Sequence, residues 1–224
     1  MVSKNSTQVI TIDGPAGAGK STVAKLLAKK LGFFYLDTGA MYRALTLKAI
    51  RLRVDLDKED QLVGLAEKTT IDFQNEADGL KVFLDGEDVT EQIRTTKVTN
   101  NTFYIARLHR VREIMVKWQR AIGEKKDVVV EGRDVGTVVF PKATKKFYLD
   151  ADFEERSQRR IKEYAQKGHQ VNETKLKREL NVRDHKDLTR RTAPLKKADD
   201  ALFIDSTHLS IDEVVEEMLK HIHG

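Results

Sequence analysis

The sequence contains no cysteine and no run of about 20 apolar residues that could cross a membrane. The first absence excludes disulfides, thiolate metal ligands and a cysteine nucleophile. The second, with a polar start at residues 1–8 that lacks a signal-peptide pattern, argues against a membrane partner. We therefore expect a soluble, cytoplasmic protein. At 224 residues, the chain can form one domain that is stable without disulfides or structural metals.

Positive charge is in modest excess, with 40 Lys and Arg residues against 35 Asp and Glu residues. Residues 156–197 are crowded with Lys and Arg, whereas residues 212–217 are acidic. The excess favours anionic partners such as nucleotides, nucleic acids or acidic lipids, without choosing among them. The sequence shows no nucleic-acid motif such as aromatic RNP-type strands, so we expect no nucleic-acid partner.

The start of the chain alternates between strand and helix patterns. β-branched residues at 8–13 predict a buried strand, and apolar residues at helical spacing predict a helix over 20–31. A second strand over 33–36 and a second helix over 40–53 follow. This alternation predicts an α/β fold, with a parallel sheet flanked by helices.

Residues 70–96 show a different pattern, which predicts a small antiparallel β insert. Asp85 and Gly86 are typical of a tight hairpin turn between two strands. The short strands of the insert are predicted over 70–74, 80–84 and 87–89.

The rest of the chain returns to helices and apolar strands. The pattern predicts one long helix over 98–122 and a helix that ends near residue 166, followed by a charged stretch to Pro194. Ser210 and Glu213 have capping-box spacing and predict the start of a final helix. Further strands are predicted over 127–130, 146–149 and 201–204.

A glycine-rich segment between the first strand and the first helix fits the pattern G-x-x-x-x-G-K-[ST]. Glycines let the backbone curl so that successive N–H groups face phosphate oxygens, and the following helix adds its positive N-terminal end. Lys20 would bridge the β- and γ-phosphates of a nucleoside triphosphate, and the Ser21 hydroxyl would ligate Mg²⁺. The predicted phosphate-binding residues are Gly14, Pro15, Ala16, Gly17, Ala18, Gly19, Lys20, Ser21 and Thr22.

Further motifs follow the second strand and continue to the end of the chain. They are DTGAMYR at 37–43, GEDVTEQIR at 86–94, EGRDVGTVVFP at 131–141, RDHKDLTRRTAPL at 183–195 and ADDALFIDST at 198–207. With these motifs the chain resembles the bacterial cytidylate kinases, which belong to the nucleoside monophosphate kinase group. The resemblance runs nearly end to end, and it implies transfer of the γ-phosphoryl group of ATP to CMP or dCMP, with Mg²⁺ required.

The resemblance also implies roles for the matched residues. Thr38, Arg43 and Arg133 would bind the CMP phosphate, and Arg112 and Asp134 would read the cytosine edge. Arg183, Asp187 and Arg190 would reach the ribose and the phosphates. Arg156 would stack on adenine, and Arg160 would meet the triphosphate. The catalytic residues implied in this way are Lys20, Arg133, Arg183 and Arg190.

Two positions keep alternatives open. Many members of the family carry a serine that helps to recognise the base where this chain has Phe103, so either Thr102 supplies the hydroxyl or that contact is missing. Asp134 could accept hydrogen bonds from the cytosine amino group, or it could hold Arg133 in place as an ion pair.

The basic segment 156–197 also has two interpretations. It could be a mobile lid that closes over ATP and excludes water, or a solvated helical hairpin with charges paired on exposed faces. The match of residues 183–195 to the family motif favours the lid.

We therefore predict one domain over 1–224 that acts as a monomer on CMP or dCMP. Its core comprises about 1–69, 97–155 and 198–224, with an insert at about 70–96 and a lid at about 156–197. The alternatives are a kinase for UMP, AMP or shikimate, and an RNA-binding or regulatory protein that uses ATP as a switch.

Overall fold

The computed structural model describes residues 7–76, 79–166, 168 and 171–223. Residues 1–6 and 224 of the predicted core, 77–78 of the predicted insert, and 167 and 169–170 of the predicted lid lie outside the described residues.

A five-stranded parallel sheet forms the centre of the molecule, as predicted, with strand order β2-β6-β1-β7-β8. The apolar runs of β1 and β6 are fully buried because helices cover both faces of the sheet. The central strand β1 therefore delivers the segment after Asp13 to the middle of the carboxyl edge, where ligands bind in folds of this kind. The strands are β1 (Val9–Asp13), β2 (Phe34–Asp37), β6 (Val128–Gly132), β7 (Lys145–Asp150) and β8 (Leu202–Asp205).

Two hydrophobic clusters hold the helices against the two faces of this sheet. One cluster joins α1 and α8 to residues such as Ile12 and Phe147. The other joins α2, α3 and α5 to residues such as Leu36 and Val130. The two faces use alternate residues of each strand, as the pleat requires. The helices involved are α1 (Lys20–Leu31), α2 (Thr38–Arg51), α3 (Glu59–Glu67), α5 (His109–Gly123) and α8 (Ile211–His223).

A second, antiparallel sheet contains β3 (Ile71–Glu76), β4 (Gly79–Leu84) and β5 (Glu87–Asp88). Asp85 and Gly86 both adopt positive φ, at 50° and 86°, which is the geometry of the predicted tight hairpin turn. The antiparallel sheet expected from residues 70–96 is thus confirmed.

The single helix predicted over 98–122 is wrong, because the segment forms two helices. The first, α4, spans Thr96–Ala106, and α5 begins at His109. Leu108 between them is extended, with φ −81° and ψ 120°, and its side chain packs into the second hydrophobic cluster. No Gly or Pro marks the break in the sequence, and the contact of the extended Leu108 with the second hydrophobic cluster is one that local sequence does not reveal.

The basic segment forms two further helices, α6 (Phe153–Gln166) and α7 (Glu173–Thr189). Asn172 caps α7, because its side chain accepts a hydrogen bond from the Lys175 N–H. The predicted capping box of α8 is confirmed, since Ser210 Oγ accepts from the Glu213 N–H while Glu213 accepts from the Ser210 N–H. Within the described ranges, every helix is too short or too polar to span a bilayer.

Candidate active site

The glycine-rich segment between β1 and α1 forms a curled loop. Gly17 and Gly19 have φ of 82° and 88°, values that side-chain-bearing residues rarely adopt. Gly14 lies so close to β7 that a Cβ atom would stand 1.9 Å from the Leu149 carbonyl oxygen. The backbone N–H groups at the start of α1 are therefore directed at the space above the loop, where Ser21 and Thr22 are exposed.

Lys20 begins α1 and is only 5% exposed. Its ammonium group donates a 2.6 Å hydrogen bond to the Pro15 carbonyl oxygen. The pKa of Lys20 is lowered to about 7, chiefly by burial and also by the nearby charge of Arg133, while Glu131 opposes both effects. A buried cation beside other cations is a site that an anion would stabilise.

A cleft of about 2080 Å³ opens above the loop, and its lining combines residues of the loop, of several helices and of the antiparallel insert. The loop and α1 form the floor, α2 and α4 form one wall, and α6 and α7 form the other. The predicted site residues that line it are Ala16, Gly17, Gly19, Lys20, Ser21, Thr22, Thr38, Arg43, Arg112, Arg133, Asp134, Arg160, Arg183, Asp187 and Arg190.

The end of β2 and the start of α2 place Thr38 and Arg43 in this cleft. Thr38 Oγ1 donates to the Glu131 carbonyl oxygen at 2.7 Å, which ties α2 to β6. Arg43 forms a 2.6 Å ion pair with Asp37, the residue that also caps α2 by accepting from the Ala40 N–H. Burial alone would raise the pKa of Asp37, but Arg43 and the Ala40 N–H hold it below its ordinary value.

Two ion-pair systems join the end of β6 to α7 and the segment that follows it. Arg133 donates to Asp187 at 2.8 Å. Asp134 accepts from Arg190 at 3.0 Å and also pairs with Arg112, whose guanidinium lies 5.6 Å from the ring centroid of Tyr42. The structure therefore pairs Asp134 with Arg112 and Arg190, and the partner of Arg133 is Asp187, so the predicted alternative of an Arg133–Asp134 pair is wrong.

Arg183 lies on the inner side of α7, one turn before Asp187. The pKa of Arg183 is lowered to about 10, chiefly by burial and also by the charge of Arg133, while Asp187 opposes both effects. Asp187 has a pKa below its ordinary value because Arg133 and Arg183 outweigh the effect of its burial. This end of the cleft is therefore cationic, and an anionic ligand would relieve the repulsion.

Arg156 and Arg160 occupy different environments on α6. Arg156 is 9% exposed and donates to the carbonyl oxygens of Ala16 and Ala151 at 2.9 and 3.0 Å. Arg160 remains accessible at the cleft, where it pairs with Glu163 at 2.5 Å and lies 4.8 Å from the ring centroid of Tyr164. Stacking of Arg156 on a base would require it to leave its buried hydrogen bonds.

The position of Phe103 bears on the missing serine. The Thr102 hydroxyl donates to the Val98 carbonyl oxygen of its own helix at 2.8 Å, so its proton is already committed. The Phe103 ring lies at the cleft under the ammonium group of Lys186, 4.9 Å from the ring centroid.

Three buried carboxylates at the site were missed by sequence reasoning. Asp13 accepts from the N–H groups of Val135 and Gly136. Glu131 accepts from the Tyr35 hydroxyl, and burial raises its pKa. Asp184 bonds to the phosphate-binding loop. Only Glu131 and Asp13 carried a signal, since each closes an apolar strand at the carboxyl edge of the sheet.

Comparison with known proteins identifies the family of the chain. The model of the cytidylate kinase family matches residues 10–224. A cytidylate kinase of Pediococcus pentosaceus is 47% identical over 220 residues, which cover 98% of this chain and 97% of the relative. A cytidylate kinase of Caldanaerobacter subterraneus is 50% identical over 218 residues, which cover 97% and 96%.

A solved structure supports the fold independently. The crystal structure of an uncharacterized protein from Eubacterium ventriosum superposes with a TM-score of 0.52 at 13% identity, covering 97% of this chain and 98% of that one. At that identity the likeness concerns the fold alone. The family match and the two relatives cover almost the whole chain at high identity, and on that basis the chain belongs to the cytidylate kinase family.

Proposed function

We propose that this chain is a kinase that transfers the γ-phosphoryl group of ATP to CMP or dCMP, giving ADP and CDP or dCDP. Membership of the cytidylate kinase family supports the reaction. The observation that carries the proposal is the single cleft that holds both a phosphate-binding loop and a second group of arginines. One anionic substrate would bind at the loop and the other at the arginines, with their phosphates facing each other.

Charge neutralisation is the main physical demand of this reaction. Two like unit charges about 4 Å apart repel by roughly 4 kcal/mol at an effective dielectric near 20, and several such pairs meet when two nucleotides approach. The acceptor is already an anionic phosphate, so no general base is required, and catalysis consists of positioning and charge stabilisation. The side chains proposed to supply positive charge are Lys20, Arg43, Arg133, Arg160, Arg183 and Arg190.

The acceptor phosphate is proposed to bind Thr38, Arg43 and Arg133. Arg43 supports this role, because its buried Nε has no hydrogen-bond partner among the described residues. A buried donor left unsatisfied is costly, and a phosphate oxygen would satisfy it. Arginine suits the task because its planar group binds phosphate at two points and stays charged.

The base and ribose of the acceptor are proposed to bind the next part of the cleft. Arg112 and Asp134 would contact the cytosine edge, and Arg183, Asp187 and Arg190 would reach the ribose and phosphates. The pairs of Asp134 with Arg112 and Arg190 hold these groups in fixed orientations. Such preorganisation reduces the cost of ordering the site during binding.

The donor end of the cleft is proposed to bind ATP through the loop residues 14–22, with Arg160 near the triphosphate. Arg156 is also proposed to stack on the adenine base, which requires that its side chain leave its buried hydrogen bonds. Lys20 would then lie between the β- and γ-phosphates, and its charge would be restored by them. The pKa of about 7 for Lys20 supports this, because it reflects a buried cation that an anion would stabilise.

Residues 156–197 are proposed to act as a lid over a core of about 1–69, 97–155 and 198–224, with an insert at about 70–96. Support comes from α6 and α7, which form one wall of the cleft and carry Arg160, Arg183 and Asp187. Closure would exclude water and so limit hydrolysis of ATP.

The donor set beside the loop fits Mg²⁺. Ser21 is exposed at the start of α1, and its hydroxyl lies close enough to the carboxylate of Glu131 to lower the pKa of that group, while the nearby charge of Asp37 raises it. Hydroxyl and carboxylate oxygens are the ligands that Mg²⁺ prefers, and it commonly keeps several waters besides. We propose that Ser21 binds the ion and that Glu131 orients the Ser21 hydroxyl. Mg²⁺, when bound, would neutralise charge on the β- and γ-phosphates.

A substrate panel tests the reaction. The purified protein is mixed with ATP and Mg²⁺, and ADP release is followed with CMP, dCMP, UMP, AMP, GMP, dTMP and shikimate in turn. Fast turnover with CMP and dCMP alone is the expected result. Turnover led by another acceptor would keep the kinase and refute the base-reading residues, and no turnover would favour an ATP-driven switch.

We also propose that the protein is a monomer and that it acts in the cytoplasm. Its partners are proposed to be small molecules and not nucleic acid. Analytical ultracentrifugation tests the oligomeric state. Retention on a nucleic-acid column with and without ATP tests the last part, and strong ATP-dependent retention would contradict it.

A further inference from the structure

Both backbone polar groups of one residue in the phosphate-binding loop, Ala16, are held by the helical wall of the cleft. The Ala16 N–H donates to Asp184 Oδ1 on α7 at 3.2 Å. The Ala16 carbonyl oxygen accepts from Arg156 Nη1 on α6 at 2.9 Å. The loop is therefore attached to α6 and α7 through side chains that lie 140 and 168 residues away in the sequence.

Arg156 and Asp184 also pair with each other. They are 9% and 8% exposed, so the pair is almost completely removed from water. Asp150 stands beside it, with Oδ1 3.6 Å from Arg156 Nε, and the guanidinium lies 5.5 Å from the ring centroid of Phe153. Ion pairs this deeply buried stabilise little on balance, but they fix orientation, because loss of either partner leaves an uncompensated charge.

The backbones are as close as the side chains. A Cβ atom on Gly17 would lie 2.9 Å from the Arg156 carbonyl oxygen, and Gly17 has φ of 82°. Only glycine therefore lets the loop pass α6 at this distance. We refer to Ala16, Gly17, Arg156 and Asp184 together as the loop–lid joint.

We propose that Asp184 is a positioning residue, which sets the height and rotation of α7 above the phosphate-binding loop through the loop–lid joint. The proposal rests on the function proposed above, since the neighbours of Asp184 on α7 are Arg183 and, three residues on, Asp187. The same joint fixes the loop that holds the donor and the helix that holds these two side chains. Transfer depends on their relative position, and a misplacement of about 1 Å can cost on the order of 100-fold in rate.

The test compares two variants that disrupt the loop–lid joint with one that does not. Asp184→Asn removes the charge and keeps the shape. The double variant Arg156→Met, Asp184→Leu replaces the charged pair with apolar groups and also leaves the N–H and the carbonyl oxygen of Ala16 without side-chain partners. The control is Glu154→Gln, because Glu154 joins the same two helices through a 2.5 Å pair with Lys177 on their exposed side.

Three readouts separate positioning from folding. Thermal unfolding shows which variants are folded at the assay temperature, and kinetic constants are compared only among those. Amide hydrogen exchange over residues 14–20 should become faster in both joint variants and stay unchanged in Glu154→Gln. With CMP as acceptor, kcat should fall by about 100-fold while KM for CMP changes by less than about threefold.

The proposal is overturned if the folded double variant keeps kcat within about threefold of the wild type, or if Glu154→Gln loses as much. It is also overturned if exchange over residues 14–20 does not change. The exchange measurement needs no turnover, so a wild type that phosphorylates none of the acceptors would refute the proposed function and still leave the joint testable.

Discussion

The ammonium group of Lys186 on α7 lies 4.9 Å from the ring centroid of Phe103 on α4. These two side chains connect opposite walls of the cleft, near the end that is proposed to bind the base. Phe103 also contacts Tyr104 in an edge-to-face arrangement, with ring centroids 6.1 Å apart. The aromatic residue that replaces the expected serine thus takes part in holding the walls together.

Lys186→Met should weaken this bridge and leave the apolar contact. An exposed cation–π contact contributes about 0.5–1 kcal/mol, so KM for CMP should rise by roughly two- to fivefold. Steady-state kinetics with CMP measure the change, and Lys175→Met, an exposed position on the same helix, is the control. An unchanged KM in Lys186→Met would show that the contact does not contribute to closure.

Lys20 should take up a proton when ATP binds. Its pKa of about 7 in the free protein means that the group is mostly neutral at pH 8, and triphosphate binding should return the pKa toward its ordinary value. Calorimetry of ATP binding at pH 8, in buffers with different ionisation enthalpies, should show uptake of close to one proton.

Lys20→Met provides the control for that measurement. The variant should fold and show no such uptake, and its kcat should fall by orders of magnitude because charge stabilisation at the transferred phosphoryl group is lost. Near-normal turnover in Lys20→Met would refute the assignment of the phosphate-binding loop.

The free energy of unfolding of the wild type should rise with pH above about 7. In that range Lys20 of the unfolded chain still binds a proton that Lys20 of the folded chain has lost.

Asp13→Asn should displace the residues that follow β6. The carboxylate accepts from Val135 and Gly136 at 2.8 and 2.7 Å, and an amide would turn a donor toward one of these N–H groups. An unsatisfied buried donor costs about 1–3 kcal/mol, and the segment concerned carries Arg133 and Asp134. We expect a lower free energy of unfolding and a higher KM for CMP.

The pH dependence of stability tests the same side chain. The pKa of Asp13 is raised to about 6, chiefly by burial, and the repulsion of Asp134 adds to the rise. The two N–H groups and the charge of Lys20 act in the opposite direction. The stabilisation that its proton provides is complete below about pH 4 and is lost as pH rises through 6. Denaturant unfolding should show a smaller decline over this range in Asp13→Asn, and an equal decline would contradict the assignment.

Gly14→Ala should destabilise the protein far more than Gly32→Ala. A Cβ at Gly14 would meet the Leu149 carbonyl oxygen at 1.9 Å, so β7 or the loop must move. Gly32 ends α1 with φ of 70° and has open space around it, so its substitution costs only about 1–2 kcal/mol of backbone strain. Thermal unfolding of both variants measures the difference, and similar midpoints would show that the loop can relax.

The sequence was most informative where local chemistry decides the structure. The bounds predicted for the first helix, 20–31, agree with α1, and the Asp85-Gly86 turn agrees with its two positive φ angles. Glycine, capping residues and apolar spacing act over a few residues, so a single sequence reveals them. The break at Leu108 was missed because it depends on a distant hydrophobic cluster.

Pairing within the site shows the same limit. Many of the predicted site residues line one cleft, as expected, but the sequence could not predict which of their charged side chains form ion pairs with each other. Arg133 pairs with Asp187 and not with the adjacent Asp134, because α7 approaches from 54 residues away. Arg156, predicted to contact adenine, is instead held by Ala16 and Asp184.

The position of β1 has a consequence for how the chain acquires this structure during synthesis. Val9–Asp13 pairs on one side with Val128–Gly132 and on the other with Lys145–Asp150. At about 5–20 residues per second, the ribosome needs several seconds to supply those partners after β1 has emerged. The strand that leads into the phosphate-binding loop is therefore made well before either of its partner strands, and its native pairing is completed only after Lys145–Asp150 has been synthesised.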